Sequence, residues 1–82
     1  MADTTGEQVY TIISEKSKIP RRELKPETQI YDSKIISSLA LLELIAQIEE
    51  RFSIVVLPEE LTEDNFHDIQ TIIEFIHQKA TA

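Results

Sequence analysis

Two adjacent serines, Ser37 and Ser38, are the residues of this sequence best placed to do chemistry. They stand at the head of residues 39–52, the most apolar helical pattern in the chain. A hydroxyl at the start of a helix has two uses. It can cap the helix by accepting a backbone N–H. It can also carry an anionic group, because the helix start offers unpaired N–H groups and the positive end of the dipole. The spacing leaves open which serine takes which role. Other chemistry is missing. His67 and His77 lie ten residues apart, a spacing unlike that of metal ligands, and read as surface or cap residues. The acid pairs Glu49–Glu50, Glu59–Glu60 and Glu63–Asp64 are sequence neighbours. Neighbours on a helix point about 100° apart and stay solvated, so they form no catalytic dyad. Gly6 is the only glycine, which excludes a glycine-rich phosphate loop. The absence of cysteine excludes a disulfide framework and a thiol nucleophile. Nothing in the pattern supports an enzyme with its own active site.

The serines need elements to position them. Thr4-x-x-Glu7 has the form of a capping box. Val9, Ile12, Ile13 and the stem of Lys16 then share one face, which predicts a first helix over residues 4–17. A long connection follows, broken by Pro20 and Pro26, with Leu24, Ile30 and Tyr31 available to pin it to the helices. The second helix is expected over residues 38–52, with Leu41, Leu42, Ile45, Ile48 and Phe52 as its core stripe. Leu39, Glu43, Ala46, Gln47 and Glu50 fall on a different face, mixed in character and suited to a protein partner. Residues 53–58 read as an extended apolar connector. Pro58 opens a short helical turn over residues 59–61. Residues 62–66 read as another short helical segment, with Phe66 plugging the core. Asp68 caps a last helix whose Ile69, Ile72, Ile73 and Ile76 form the cleanest amphipathic stripe, broadened by Phe75. Residues 78–82 should fray.

At 82 residues the chain is expected to be a single domain, residues 1–82, with a modest core and no room for a deep cleft as well. One glycine and three prolines favour helices over a many-turned β fold. The start is polar and acidic, unlike a signal or transit peptide, and no apolar run reaches membrane-spanning length. A cytoplasmic location is expected. Acids and bases cancel within residues 1–34, so residues 35–82 carry the whole net charge of −7. Such a half repels nucleic acid and anionic membrane and attracts basic protein surfaces.

At Ser37-Ser38-Leu39 the sequence resembles the acyl carrier and peptidyl carrier proteins, whose motif at the start of the second helix is Asp-Ser-Leu. Ile30-Tyr31-Asp32 resembles the apolar-apolar-acid step of that family's long first loop. Leu42-Glu43-Leu44 is similar to its aliphatic-Glu-Leu step, and Glu49-Glu50-Arg51-Phe52 to its acidic run ending in Phe. Residues 69–76 match its last helix, and the resemblance covers about residues 7–77. Ile35-Ile36 stands where fatty-acid carriers usually have Gly and a small residue, and residues 50–54 and the acidic run of residues 61–66 are similar to the D-alanyl carrier proteins, so the sequence looks closer to stand-alone carriers of amino-acid units than to fatty-acid carriers. One position departs from the motif. Ser37 stands where the family has an Asp that helps the modifying enzyme engage.

The resemblance implies an all-α fold, a small four-helix bundle of the acyl carrier type. It would have three longer helices, one or two short ones and a long first loop. It implies a non-enzymatic carrier with 4′-phosphopantetheine, taken from coenzyme A, attached to Ser38. Acyl or aminoacyl intermediates would ride on that arm as thioesters. Ser37 would then cap the helix. The implied partners are a phosphopantetheinyl transferase and the loading and downstream biosynthetic enzymes. Their basic surfaces would dock on Leu39, Ala40, Glu43, Ala46, Gln47 and Glu50, with the carrier itself a monomer. A second reading is a carrier-like helical interaction module with no prosthetic group, which the Ser37 departure favours.

Overall fold

The computed structural model describes residues 4–81. The first three residues and Ala82, the end of the stretch expected to fray, lie outside the described part. Four α-helices follow in order: α1 (Thr5–Ser17), α2 (Ser38–Phe52), α3 (Glu63–Phe66) and α4 (Ile69–Thr81), with 3-10 turns at Arg21–Glu23 and Pro58–Glu60. No strand occurs among the described residues; a single antiparallel bridge joins Gln29 and Asp68.

α1 packs against both α2 and α4, and α3 against α4. Val9, Ile12 and Ile13 supply the α1 face, and Ile69, Ile72, Phe75 and Ile76 the α4 face. Phe66 is fully buried and its ring meets that of Phe75 at 5.3 Å. The core stripe of α2 runs through Leu41, Leu44, Ile45, Ile48 and Phe52. Leu42, expected in that stripe, is instead 56% exposed, while Leu44 is fully buried. The reason is helical phase. At about 100° per residue, Leu42 stands roughly a third of a turn away from the line through Leu41, Leu44, Ile45 and Ile48.

The caps also differ in outcome. Asp68 caps α4 reciprocally: its carboxylate accepts the Thr71 N–H at 2.8 Å, and its own N–H donates to Thr71 Oγ1 at 3.0 Å. The box expected at Thr4 does not form. Thr4 has φ −95° and ψ 1°, not the extended backbone that aims a capping side chain at the helix. Its hydroxyl accepts from the Gln8 side chain instead. The last helix continues through Thr81. Lys79 Nζ lies 2.9 Å from Glu60 Oε1 and ties this end to the turn at Pro58–Glu60. Glu60 also accepts the Leu57 N–H at 2.9 Å. The backbone bond first, and Lys79 second, hold its carboxyl below the usual range. Glu49 Oε2 likewise accepts the Val56 N–H at 2.9 Å and closes the turn after α2. Glu49 and Glu60 are therefore partnered, not simply solvated as sequence neighbours suggested.

The long loop does not drift over the surface. Ile30 and Tyr31 donate their N–H groups to the carbonyls of His67 and Phe66 at 2.8 and 3.0 Å, and Gln70 donates to Pro26 at 2.9 Å. Leu24, Ile30 and Ile36 are buried beneath it. The loop is thus fastened to the α3–α4 junction before it delivers the chain to the head of α2.

Candidate functional site

Ile36 is buried in the core, and Leu41 packs against the same core. This is the spacing of a hydrophobic staple across a helix start, and it fixes the angle at which the chain enters α2. Ser37 follows in extended backbone, φ −71° and ψ 167°. Its hydroxyl accepts the Ala40 N–H at 3.1 Å, and its carbonyl accepts the Leu41 N–H at 2.8 Å. Ser37 is therefore the cap. Ser38, the first helical residue, is exposed, and its hydroxyl has no hydrogen-bond partner among the described residues.

Ser38 opens on a cleft of about 520 Å³ lined also by Tyr31, Asp32, Leu41, Leu42 and Leu61. The docked loop brings Tyr31 and Asp32 to it, and the connector after α2 brings Leu61. Asp32 has a positive φ of 55°, a left-handed backbone that Asp tolerates better than most residues. It is exposed, and it is the only carboxylate among the lining residues. The first turn of α2 contains no acid.

The proposed partner residues lie along the outer side of α2. Leu39 is 67% exposed, and Glu43, Ala46 and Glu50 are exposed; Ala40 and Gln47 are partly buried. Glu43 lies 3.5 Å from Lys16 Nζ, while Glu50 has no ion-pair partner among the described residues. Gln47 has its Oε1 buried, with no hydrogen-bond partner among the described residues. Leu42 joins Leu39 as a second exposed leucine. Tyr31, Asp32, Leu42 and Leu61 were not among the site residues expected from sequence. The Tyr31-Asp32 step was visible in the loop, but no local signal marks Leu61 as a neighbour of Ser38.

The histidines and acids build no centre of their own. His67 faces Glu63 at 3.7 Å, and the described residues contain no group of three His, Asp or Glu side chains able to hold a metal ion. None of the described helices is long and apolar enough to cross a membrane.

A family model described as "Phosphopantetheine attachment site" matches residues 7–76, nearly the whole chain. The chain belongs to this family. It is a phosphopantetheine-bearing carrier protein of the acyl and peptidyl carrier type, and its prosthetic group is 4′-phosphopantetheine. As a carrier it is non-catalytic and is served by a phosphopantetheinyl transferase and by biosynthetic enzymes. Named relatives agree. The carrier is 34% identical over 73 residues to an acyl carrier protein of Chlorobium phaeobacteroides, covering 89% of this chain and 91% of the relative. It is 28% identical over 72 residues to an acyl carrier protein of Helicobacter hepaticus, covering 88% and 92%. It is 35% identical over 60 residues to the acyl carrier protein AcpXL of Rhizobium meliloti, covering 73% and 63%.

The residues at the head of α2 suit such a group. A phosphodiester needs a free, accessible hydroxyl; both serines are exposed, but the Ser37 hydroxyl accepts the Ala40 N–H, while that of Ser38 has no hydrogen-bond partner among the described residues. An anion at that point meets the positive end of a helix of 15 residues. The apolar walls of the cleft, Leu41, Leu42 and Leu61, suit the alkyl and amide stretch of a pantetheine arm.

Proposed function

We infer that Ser38 is the attachment point and that this carrier presents acyl or aminoacyl units to biosynthetic enzymes with basic docking surfaces. One observation carries the reading. Of two adjacent hydroxyls, Ser37's is occupied by the cap and Ser38's is free at the mouth of a cleft. The residues divide the work accordingly. Ser38 Oγ holds the arm through phosphorus, and the dipole of α2 favours the phosphodiester by roughly 0.3–1 kcal/mol. Ser37 keeps the first turn closed so that the Ser38 backbone does not fray. When bound, the arm supplies the thiol that the chain itself lacks, on which the cargo rides as a thioester.

Leu39, Ala40, Glu43, Ala46, Gln47 and Glu50 form the docking face in this reading. Leu39 gives an enzyme an apolar contact next to the attachment point. Glu50, with no ion-pair partner among the described residues, gives a charge that a basic surface can use. Glu43 must exchange Lys16 for its new partner. A monomer working in the cytoplasm completes the proposal.

Intact-mass measurement after incubation with coenzyme A and a broad-specificity phosphopantetheinyl transferase tests it. One arm should be gained by the wild type and by Ser37→Ala, and none by Ser38→Ala. A wild-type mass that several transferases leave unchanged would refute the proposal and favour the unmodified helical interaction module, the reading that Ser37 in place of the family's Asp supports.

A further inference from the structure

We propose that Asp32 is the positioning carboxylate through which the phosphopantetheinyl transferase aligns this chain for transfer to Ser38. The inference rests on Ser38 as the attachment point, and its test separates the two.

The Ser38 Oγ–phosphorus bond forms while the phosphorus–oxygen bond within the pyrophosphate of coenzyme A breaks. 3′,5′-ADP leaves, and the hydroxyl proton passes to a base on the transferase. The donor is a polyanion, so the enzyme surface that brings it to Ser38 must be cationic, through side chains, a metal ion or both. A carrier that meets such a surface gains alignment from a carboxylate beside its serine. The head of α2 has none, because Ser37 and Ser38 are neutral and the first turn contains no acid. Asp32 is the one carboxylate that shares the Ser38 cleft.

Asp32 is also held as an alignment group needs to be. The two residues before it are fixed by the bonds from Ile30 and Tyr31 to the α3–α4 junction. The residue after it, Ser33, donates both its N–H and its hydroxyl to the Ile30 carbonyl, at 3.3 and 2.8 Å. Ile30 itself is fully buried. The left-handed backbone at Asp32 is thus locked from both sides, yet its side chain is exposed and has no ion-pair or hydrogen-bond partner among the described residues. A fixed backbone with a free charge on the cleft that the reacting hydroxyl also lines is an arrangement that internal packing does not require.

Asp32→Asn is a clean probe, because Asn tolerates the left-handed region as well as Asp and only the charge is lost. Ser37→Asp is its complement, because Asp caps a helix as well as Ser and returns a carboxylate next to Ser38. Steady-state modification by a broad-specificity transferase should show Asp32→Asn raising KM for the carrier about three- to tenfold, with kcat nearly unchanged. The unfolding midpoint should stay at its wild-type value. The ratio of variant to wild-type KM should fall toward one at high salt. The double variant Asp32→Asn/Ser37→Asp should recover most of the loss. Calorimetric binding of Ser38→Ala to the transferase with coenzyme A, with and without Asp32→Asn, should show the same drop in affinity in the absence of any turnover. An unchanged KM in Asp32→Asn overturns the inference, as does a rise in KM that salt leaves alone and that accompanies a lowered unfolding midpoint. A wild-type chain that gains no arm on Ser38 overturns the attachment reading instead, which the Asp32 comparison does not touch.

Discussion

Replacing Ser37 by Ala should destabilise this protein, while the same change at Ser38 should not. Ser37 Oγ accepts the Ala40 N–H at 3.1 Å and so satisfies one of the orphan donors at the head of α2. Removing such a cap costs about 0.5–2 kcal/mol, typically about 1. Ser38 is exposed and its hydroxyl has no partner among the described residues, so Ser38→Ala removes only solvated atoms from a helical position that Ala favours. Its effect should stay within about 0.5 kcal/mol of zero. Ser37→Asp should retain the cap and gain up to about 1 kcal/mol from a charge at the positive helix end. For a domain of this size, 1 kcal/mol moves the thermal midpoint by roughly 4–8 °C. Urea unfolding followed by circular dichroism on the unmodified proteins resolves these differences. The order expected is Ser37→Asp at or above wild type, Ser38→Ala near wild type and Ser37→Ala lowest. Equal losses in the two alanine variants would refute the division of labour between the serines, and with it the reason for assigning the arm to Ser38.

Three other outcomes follow from the same structure. Leu44→Ala should cost about 2–5 kcal/mol, because the side chain is fully buried; Leu42→Ala should cost far less in unfolding experiments, because that side chain is mostly exposed. Glu60 has its carboxyl pKa held down by the Leu57 N–H and then by Lys79, so the stability it contributes is present above the ordinary carboxylate range and is lost as pH falls through the depressed value. The stability gap between wild type and Glu60→Gln should therefore close on acidification through and below that range, and a gap that is constant with pH would contradict this. Glu50→Lys should weaken binding to a basic partner enzyme with little change in stability, whereas Glu43→Lys should also lose the exposed pair with Lys16, worth about 0–1 kcal/mol.

What could be read from the sequence was what local chemistry determines. The bounds of α2 follow from a capping serine before an apolar repeat, and those of α4 from Asp68 before its isoleucine stripe. Both signals act within a turn or two of chain. The error at Leu42 arose inside such a signal. Leu41, Leu42, Leu44 and Ile45 crowd one and a half turns, and two helical phases fit the run about equally well. Only the packing of α2 against α1 and the shared core selects the one that buries Leu44. Thr4 failed for a related reason, since the spacing of a capping box says nothing about whether the backbone adopts the extended conformation that the cap requires.

The cleft was the least legible part. Tyr31 and Asp32 reach Ser38 because Ile30 and Tyr31 bond to carbonyls more than 30 residues away, and Leu61 because the connector after α2 folds back beside it. These are long-range pairings with no periodic trace in the sequence. The serine itself was legible because its role is set by a helix terminus, the most local device in the fold.

Fragmentation mass spectrometry of the modified wild-type protein, with the arm located between backbone cleavages on either side of Ser38, tests the attachment point itself. A single 4′-phosphopantetheine on Ser38 and an unmodified Ser37 are expected. An arm found on Ser37, or on any other hydroxyl, would contradict that assignment.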